Sequence, residues 1–226
     1  MLNQQIRETI QYFREHLPAD LNALIEQGAG EISALDIIER AKKAGDVMPD
    51  FTLKNQLGDT RSLAEYRAKG PLVVTFYRGV WCPYCNLQLK AYADRRKEIE
   101  AVGAMLVAIT PEQPGAVDIL RNSGAPADVI DMAVEDVPFD VLHDANSEVA
   151  ESLGLVFQLP ESHRTLLSSL GVDLEALTGN ASYTFPDPAT YVVKSSGEIA
   201  WAFVPNNYRK RAEVDQILDA LSKAAS

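Results

Sequence analysis

Apolar positions along the chain fall into two regimes. In the first 45 residues they recur at helical spacing: Ile6, Ile10, Phe13 and Leu17, then Leu21, Leu24 and Ile25. The spacing predicts one helix up to a break at Pro18 and a second up to a turn at Gly28-Ala29-Gly30. A third is opened by a loose capping box from Ser33 to Asp36, carries Leu35, Ile38 and Ala41, and stops near Gly45. The Ile6–Leu17 stripe is large enough to be an aggregation hazard if left bare, at about 25 cal/mol per Å² of apolar area. The arm over 1–45 is therefore expected to dock, either on the rest of its own chain or on a second subunit.

From Asp46 onward, strand-length apolar runs alternate with helical patterns. PDFTLKNQLGDTRSL reads as a short hairpin turning at Gly58-Asp59, and Leu72–Tyr77 and Met105–Thr110 read as strands buried on both faces. A helix is predicted from Asn86 to Val102 with Leu89, Tyr92, Ile99 and Val102 inward. Another follows Pro114, a strand spans Phe139–Leu142, and a helix runs from Asn146 through Leu153. Residues 155–187 read as a polar, irregular insertion. TYVVKSSGEIAWAFV gives a hairpin at Ser195-Ser196-Gly197, and Arg211–Ala224 a closing helix with Val214, Ile217, Leu218 and Leu221 on one face. The sum is an α/β domain over 46–226, a mixed central β-sheet flanked by helices, preceded by the N-terminal helical arm.

Composition narrows the function. A net charge of −11 argues against a nucleic-acid partner, which needs clustered cations. The cluster Arg95-Arg96-Lys97 falls mid-helix and reads as a solvated face. No run approaches the roughly 18 apolar residues that span a bilayer, and MLNQQIRETIQYF lacks the form of a secretory signal, so a cytoplasmic location and no membrane partner are expected. The chain has only two cysteines, Cys82 and Cys85. In a reducing compartment a CxxC pair is more often catalytic than structural.

Their placement carries the chemistry. A buried strand, a short turn and a helix put Cys82 at a helix start, where the positive dipole end favours a thiolate, with Pro83 suited to the first turn. Cys85 lies one turn further on, within reach of a disulfide. Cys82 is expected to be the more acidic and more exposed thiol. A zinc site would need four ligands, and His16, His143 and His163 are scattered through the sequence. His143, beside Asp144 at a strand end, reads as a hydrogen-bonding residue rather than a base. No Gly-rich phosphate loop is present, and no cofactor is expected.

Three stretches, GDVMPDFTLKNQLGDTRSL, VVTFYRGVWCPYC and FDVLHDANSEVAESLGL, together with PATYVVKSSGEI, resemble the peroxiredoxin-like branch of the alkyl hydroperoxide reductase/thiol-specific antioxidant (AhpC/TSA) family. Arg78-Gly79-Val80-Trp81-Cys82-Pro83-Tyr84-Cys85 is the most specific part. The resemblance implies a thioredoxin-like fold. Aligned on the family's Pro-x-x-x-Thr-x-x-Cys, Arg78 stands on the Pro, Cys82 on the Thr and Cys85 on the peroxide-reactive Cys; the family's later active-site Arg falls on Pro188. Cys82, Cys85 and Pro188 also match the CxxC and facing cis-proline of thioredoxin-like reductases, so the resemblance implies a cis bond at Pro188. Cys-Pro-Tyr-Cys is also the glutaredoxin tetrapeptide.

The expected activity is reduction of a hydroperoxide through a Cys82–Cys85 disulfide, reopened by thioredoxin or glutathione. Two alternatives stay open: exchange with a disulfide substrate without peroxidase activity, and a redox-sensing binding module. Arg78, four residues before Cys82, is a candidate to lower the thiolate pKa and to replace the missing donors, with Trp81, Pro83 and Tyr84 in support. A homodimer is compatible with the arm.

Overall fold

The two uninterrupted apolar runs form the middle of a mixed sheet. A computed structural model describes residues 1–224. Its strands are β1 (Thr52–Asn55), β2 (Thr60–Ser62), β3 (Leu72–Phe76), β4 (Met105–Thr110), β5 (Asp140–His143), β6 (Val156–Gln158), β7 (Thr184–Pro186), β8 (Thr190–Val193) and β9 (Ile199–Phe203). Among the described residues, seven of these make one sheet in the order β2-β1-β5-β4-β3-β8-β9. β3 and β4 are parallel, with Val74 opposite Val107, and β8 lies antiparallel on the other side of β3, with Val74 opposite Tyr191. Strand alternation divides the core: Leu72, Val74 and Phe76 join one apolar cluster, while Val73 faces the other, which holds both cysteines.

The helices are α1 (Leu2–His16), α2 (Ala19–Ser33), α3 (Ile37–Arg40), α4 (Leu63–Arg67), α5 (Pro83–Asp94), α6 (Arg96–Ala101), α7 (Ala116–Arg121), α8 (Ala127–Met132), α9 (Glu148–Ser152), α10 (Glu161–Ser169), α11 (Leu174–Thr178) and α12 (Val214–Ala224). The arm packs on its own chain. Leu2 and Ile6 are buried in the cysteine-side core, with Ile10 packed against it. The Glu213 carboxylate accepts from the backbone N–H groups of Leu2 (2.9 Å) and Asn3 (2.8 Å), satisfying the open end of α1. Arg209 and Arg14 both pair with Glu26 of α2.

Several expectations change. The glycines at 28 and 30 do not break α2, which continues to Ser33. The small size of Gly28 has a packing use: a Cβ there would lie 2.3 Å from the His163 ring of α10. Ser33 and Asp36 make no capping box; α3 is one short turn without a side-chain cap. The helix after the CxxC begins at Pro83 and breaks at Arg95, so Val102 falls past its end and is exposed. Arg95 and Arg96 are held by Glu98, Asp215 and Glu100.

The stretch over 155–187 is no irregular insertion. It contains β6, α10, α11 and β7, and buries Leu155, Phe157, Leu159, Leu177 and Phe185. Its apolar residues are spaced to fit four short elements rather than one long one, which hides their periodicity. Pro188 is also corrected: among the described residues no peptide bond is cis. Its neighbour Ala189 accepts from Phe76 N–H at 2.8 Å, so this segment extends the β3–β8 ladder.

Candidate active site

β3 ends at Phe76, and Arg78 begins the loop that carries the dithiol to α5. That loop is pinned from below. Val80 N–H donates to Glu112 Oε2 at 2.8 Å, and Asn86 Nδ2 donates to the Val80 carbonyl at 2.6 Å. Gly79 has no room for a side chain, because a Cβ there would sit 2.3 Å from Glu112 Oε1 and 2.5 Å from Trp81 Nε1. Cys82 is the N-cap of α5 and Pro83 opens its first turn, as the sequence predicts. Asn86 N–H bonds to the Cys82 carbonyl, and the Cys82 sulfur accepts no capping N–H from the helix.

Two buried guanidinium groups supply the missing donors. Arg78 Nη2 donates to Cys82 Sγ at 3.2 Å, and Arg211 Nη2 donates to Cys85 Sγ at 3.2 Å. Arg78 lies between aromatic faces, 4.1 Å from the Tyr208 ring centroid and 4.9 Å from that of Trp81. Arg211 is fixed by hydrogen bonds to Gln88 Oε1 and to the carbonyls of Tyr208 and Lys210. Gln88 in turn donates to Thr75 on β3, and Thr75 meets Thr190 on β8.

Both sulfurs are fully buried, which corrects the expectation that Cys82 is the more exposed. They share a packed cluster with Trp81, Tyr84, Tyr208 and the arm's Leu2 and Ile6. Their acidities nevertheless diverge in the expected direction. Burial alone would raise the Cys82 thiol, but the hydrogen bond from Cys85 and the charges of Arg78 and Arg211 hold it well below its ordinary value. Cys85 is pushed well up by burial and by the Cys82 thiolate, against the pull of the same two arginines. The surroundings therefore favour the thiolate at Cys82 and the thiol at Cys85.

Three further titratable groups surround it. Burial and the Cys82 charge push Glu112 up to about 8, against the Val80 N–H. Burial raises Asp187 to about 6, against the Asn206 N–H and the charges of Arg211 and Arg78. His163 is pulled down to about 4 by burial and by Arg78. It rests edge-on to Tyr208, which links the arm-packed α10 to the Arg78 cage. His143 Nδ1 lies 2.6 Å from the Glu112 carbonyl, and Asp144 caps α9 through Val149 and Ala150, so this pair holds the structure next to Glu112.

Next to the Arg78 cage lies an apolar cavity of about 110 Å³, whose lining includes neither cysteine. Arg78, Trp81, Pro83, Tyr84 and Tyr208 line it on one side, and Phe13, Leu17 and Ile25 of the arm line it too. The structure thus gathers Cys82, Cys85, Arg78, Trp81, Pro83 and Tyr84; Pro188, in its trans ladder segment, does not line this cavity. Sequence reasoning missed Arg211, Tyr208, Glu112, Asp187 and His163. The run Tyr208-Arg209-Lys210-Arg211 was a visible signal, but nothing in it tells which cation turns inward.

The AhpC/TSA family profile matches residues 44–202. Chloroplastic peroxiredoxin Q of Gentiana triflora is 24% identical over 180 residues, covering 80% of this chain and 67% of the relative. The putative peroxiredoxin bcp of Haemophilus influenzae is 29% identical over 111 residues, covering 49% of this chain and 64% of its own length. Among solved structures, peroxidoxin BcpB of Mycobacterium tuberculosis aligns with a TM-score of 0.53 at 22% identity, over 80% of this chain and 97% of that one. The reduced 2-Cys peroxiredoxin of Plasmodium vivax aligns at 0.59 with 12% identity, over 80% and 81%, a likeness of fold. With a dithiol at the head of α5 and a family match over most of its length, the chain belongs to the AhpC/TSA family of thiol-based peroxidases, on a thioredoxin-like fold.

Proposed function

We propose that Cys82 is the residue that attacks the hydroperoxide and Cys85 the one that resolves it. The observation that carries this is the Arg78–Cys82 hydrogen bond of 3.2 Å inside the aromatic cage, beside the cavity. The Cys82 thiolate attacks the terminal oxygen of R–O–OH. The O–O bond breaks, sulfur is oxidised to the sulfenic acid, and the departing alkoxide takes up the proton that Cys82 lost on ionising. The Cys85 thiol then attacks the Cys82 sulfur, an S–S bond replaces the S–O bond, and water leaves. Arg78 can donate both to the thiolate and to the peroxide oxygen as charge shifts onto it, the kind of contact worth ~10²–10³ in rate.

An external thiol donor returns the two electrons by thiol–disulfide exchange. A thioredoxin-type dithiol suits this step, with glutathione the smaller alternative, in a reducing compartment such as the cytoplasm. Burial of both sulfurs favours a small peroxide over a protein disulfide as the first oxidant. The same burial requires the site to open locally before a protein donor can reach the disulfide.

The test is stopped-flow oxidation of the reduced protein by hydrogen peroxide, followed by non-reducing mass analysis. One intramolecular Cys82–Cys85 disulfide is expected, and in Cys85→Ser a sulfenic acid at Cys82. Two free thiols, intermolecular dimers only, or a sulfenic acid at Cys85 in Cys82→Ser with undiminished rate would overturn the assignment.

A further inference from the structure

The dithiol loop rests on a buried acid to which the reaction above gives no part. Glu112 follows β4 and is 2% exposed, and its Oε2 accepts from Val80 N–H at 2.8 Å. Its Oε1 has no hydrogen-bond partner among the described residues, and neither has Trp81 Nε1. Both atoms lie within 2.5 Å of the point that a Cβ on Gly79 would take, so an unused acceptor and an unused donor stand together beside the glycine. Glu112 also lines a cavity of about 230 Å³ whose rim carries the exposed residues Leu57, Asp118 and Asp136. The acid therefore sits between solvent and the loop that holds the sulfurs.

We propose that Glu112 is the proton store of the dithiol, protonated while Cys82 is a thiolate and ionised once Cys82 has joined the disulfide. The proposal rests on the peroxidase reading above and adds to it the source of the proton that the reaction consumes. The balance requires such a source. A Cys82 thiolate, a Cys85 thiol, one hydrogen peroxide and one proton give the disulfide and two waters. The sulfurs lose two electrons, the breaking O–O bond takes them, and the proton neutralises the departing hydroxide.

Burial and the Cys82 charge hold Glu112 at about 8, against the Val80 N–H, so it keeps its proton at neutral pH. Disulfide formation removes the Cys82 charge and leaves the Val80 N–H in place, and Trp81 Nε1 is free to donate to the ionised oxygen. The other groups around the dithiol do not fit the role. Asp187, at about 6, is already ionised at neutral pH, and His163, at about 4, is already neutral. Burial raises Tyr77, Tyr84 and Tyr208 above their ordinary value, so they keep their protons. Around Glu112 itself, Asp118 and Glu135 pair with Arg121, Asp136 is exposed, and the His143 ring bonds the Glu112 carbonyl.

The experiment counts protons. Reduced full-length protein in weak buffer is oxidised with one equivalent of hydrogen peroxide, and a pH indicator reads the uptake per disulfide from neutral pH to about pH 9. Wild type is expected to take up well under one proton at neutral pH. Its uptake should approach one at the alkaline end, where Glu112 has lost its proton beforehand. Glu112→Gln, which keeps an acceptor for Val80 N–H, is expected to take up one proton throughout. A second measurement needs no variant: in infrared difference spectra of wild type at neutral pH, oxidation should remove a protonated-carboxyl band. Equal uptake in wild type and variant, or a carboxyl band that survives oxidation, overturns the proposal, while a Cys82–Cys85 disulfide in the same samples leaves the peroxidase reading standing. Failure to form that disulfide overturns both.

Discussion

The two thiols each have one arginine at the same 3.2 Å, yet the two pairs are built differently. Arg211 is engaged on nearly every side, by Gln88, by two backbone carbonyls and by Cys85. Through Gln88 and Thr75 it is tied to the centre of the sheet. Arg78 has Cys82 as its hydrogen-bond partner and is otherwise held by aromatic faces, with Nε unpartnered among the described residues. Rings fix the plane of a guanidinium without occupying its N–H groups. A fully bonded arginine holds a fold together, while a stacked one keeps donors free for a substrate.

Removing each sulfur gives the sharpest test. Cys82→Ser should lose peroxide reduction by about 10⁴ or more, as expected when the nucleophile itself is removed. Cys85→Ser should keep the first oxidation and fail to turn over. Stopped-flow single-turnover and steady-state rates separate the two, and equal first-step loss in both would break the asymmetry.

The arginines come next. Arg78→Met should slow peroxide reduction ~10²–10³-fold. It should also raise the Cys82 pKa, so that the rate, flat through neutral pH in wild type, climbs with pH. Arg211→Met should show mainly as lost stability, about 3 kcal/mol, because buried carbonyls and Gln88 lose their partner. Denaturant midpoints and pH–rate profiles of both variants measure this. A purely structural effect of Arg78→Met would leave the pH profile flat.

The Arg78 side also carries His163, which gives it a pH signature. Its folded pKa of about 4 lies below the ordinary 6.5, so between those values the unfolded chain binds the extra proton. Stability is therefore lost as pH falls from 6.5 toward 4, by about 3 kcal/mol. Glu112, raised to about 8 from 4.5, acts with the opposite sign and removes stability as pH rises through that range. His163→Phe should flatten the acid limb and Glu112→Gln the alkaline one, read from denaturant midpoints across pH.

The smallest effect is expected from Gly28→Ala. The new methyl would press on the His163 ring, and His163 bears on Tyr208, whose ring covers Arg78. A loss of about 1–3 kcal/mol and earlier proteolysis of the arm are expected, with a several-fold drop in peroxide rate. The Arg211 network should be untouched, so Cys85 alkylation in the denaturant-free protein should not accelerate.

Local sequence determined much of this protein. Two continuous apolar runs specified two central strands, and Cys82 and Pro83 specified where the next helix starts, because these depend on residues within a few positions of one another. The stripe Ile6–Leu17 likewise required a partner surface. Tertiary structure alone decided what that surface is and what surrounds the sulfurs. Arg211 lies 126 residues from Cys85 and reaches it only because the segment before α12 passes over α5. The ordering of 155–187 depends on packing against α2 and the core, which no local periodicity reveals. Gly28 looked like a breaker because isolated glycines weaken helices by about 1 kcal/mol, a cost that close contact with His163 outweighs. Alignment placed Cys85 on the peroxide-reactive position; Cys82 is the more acidic thiol because charge acts through space, from Arg78 four residues away and from Arg211 near the other end of the chain.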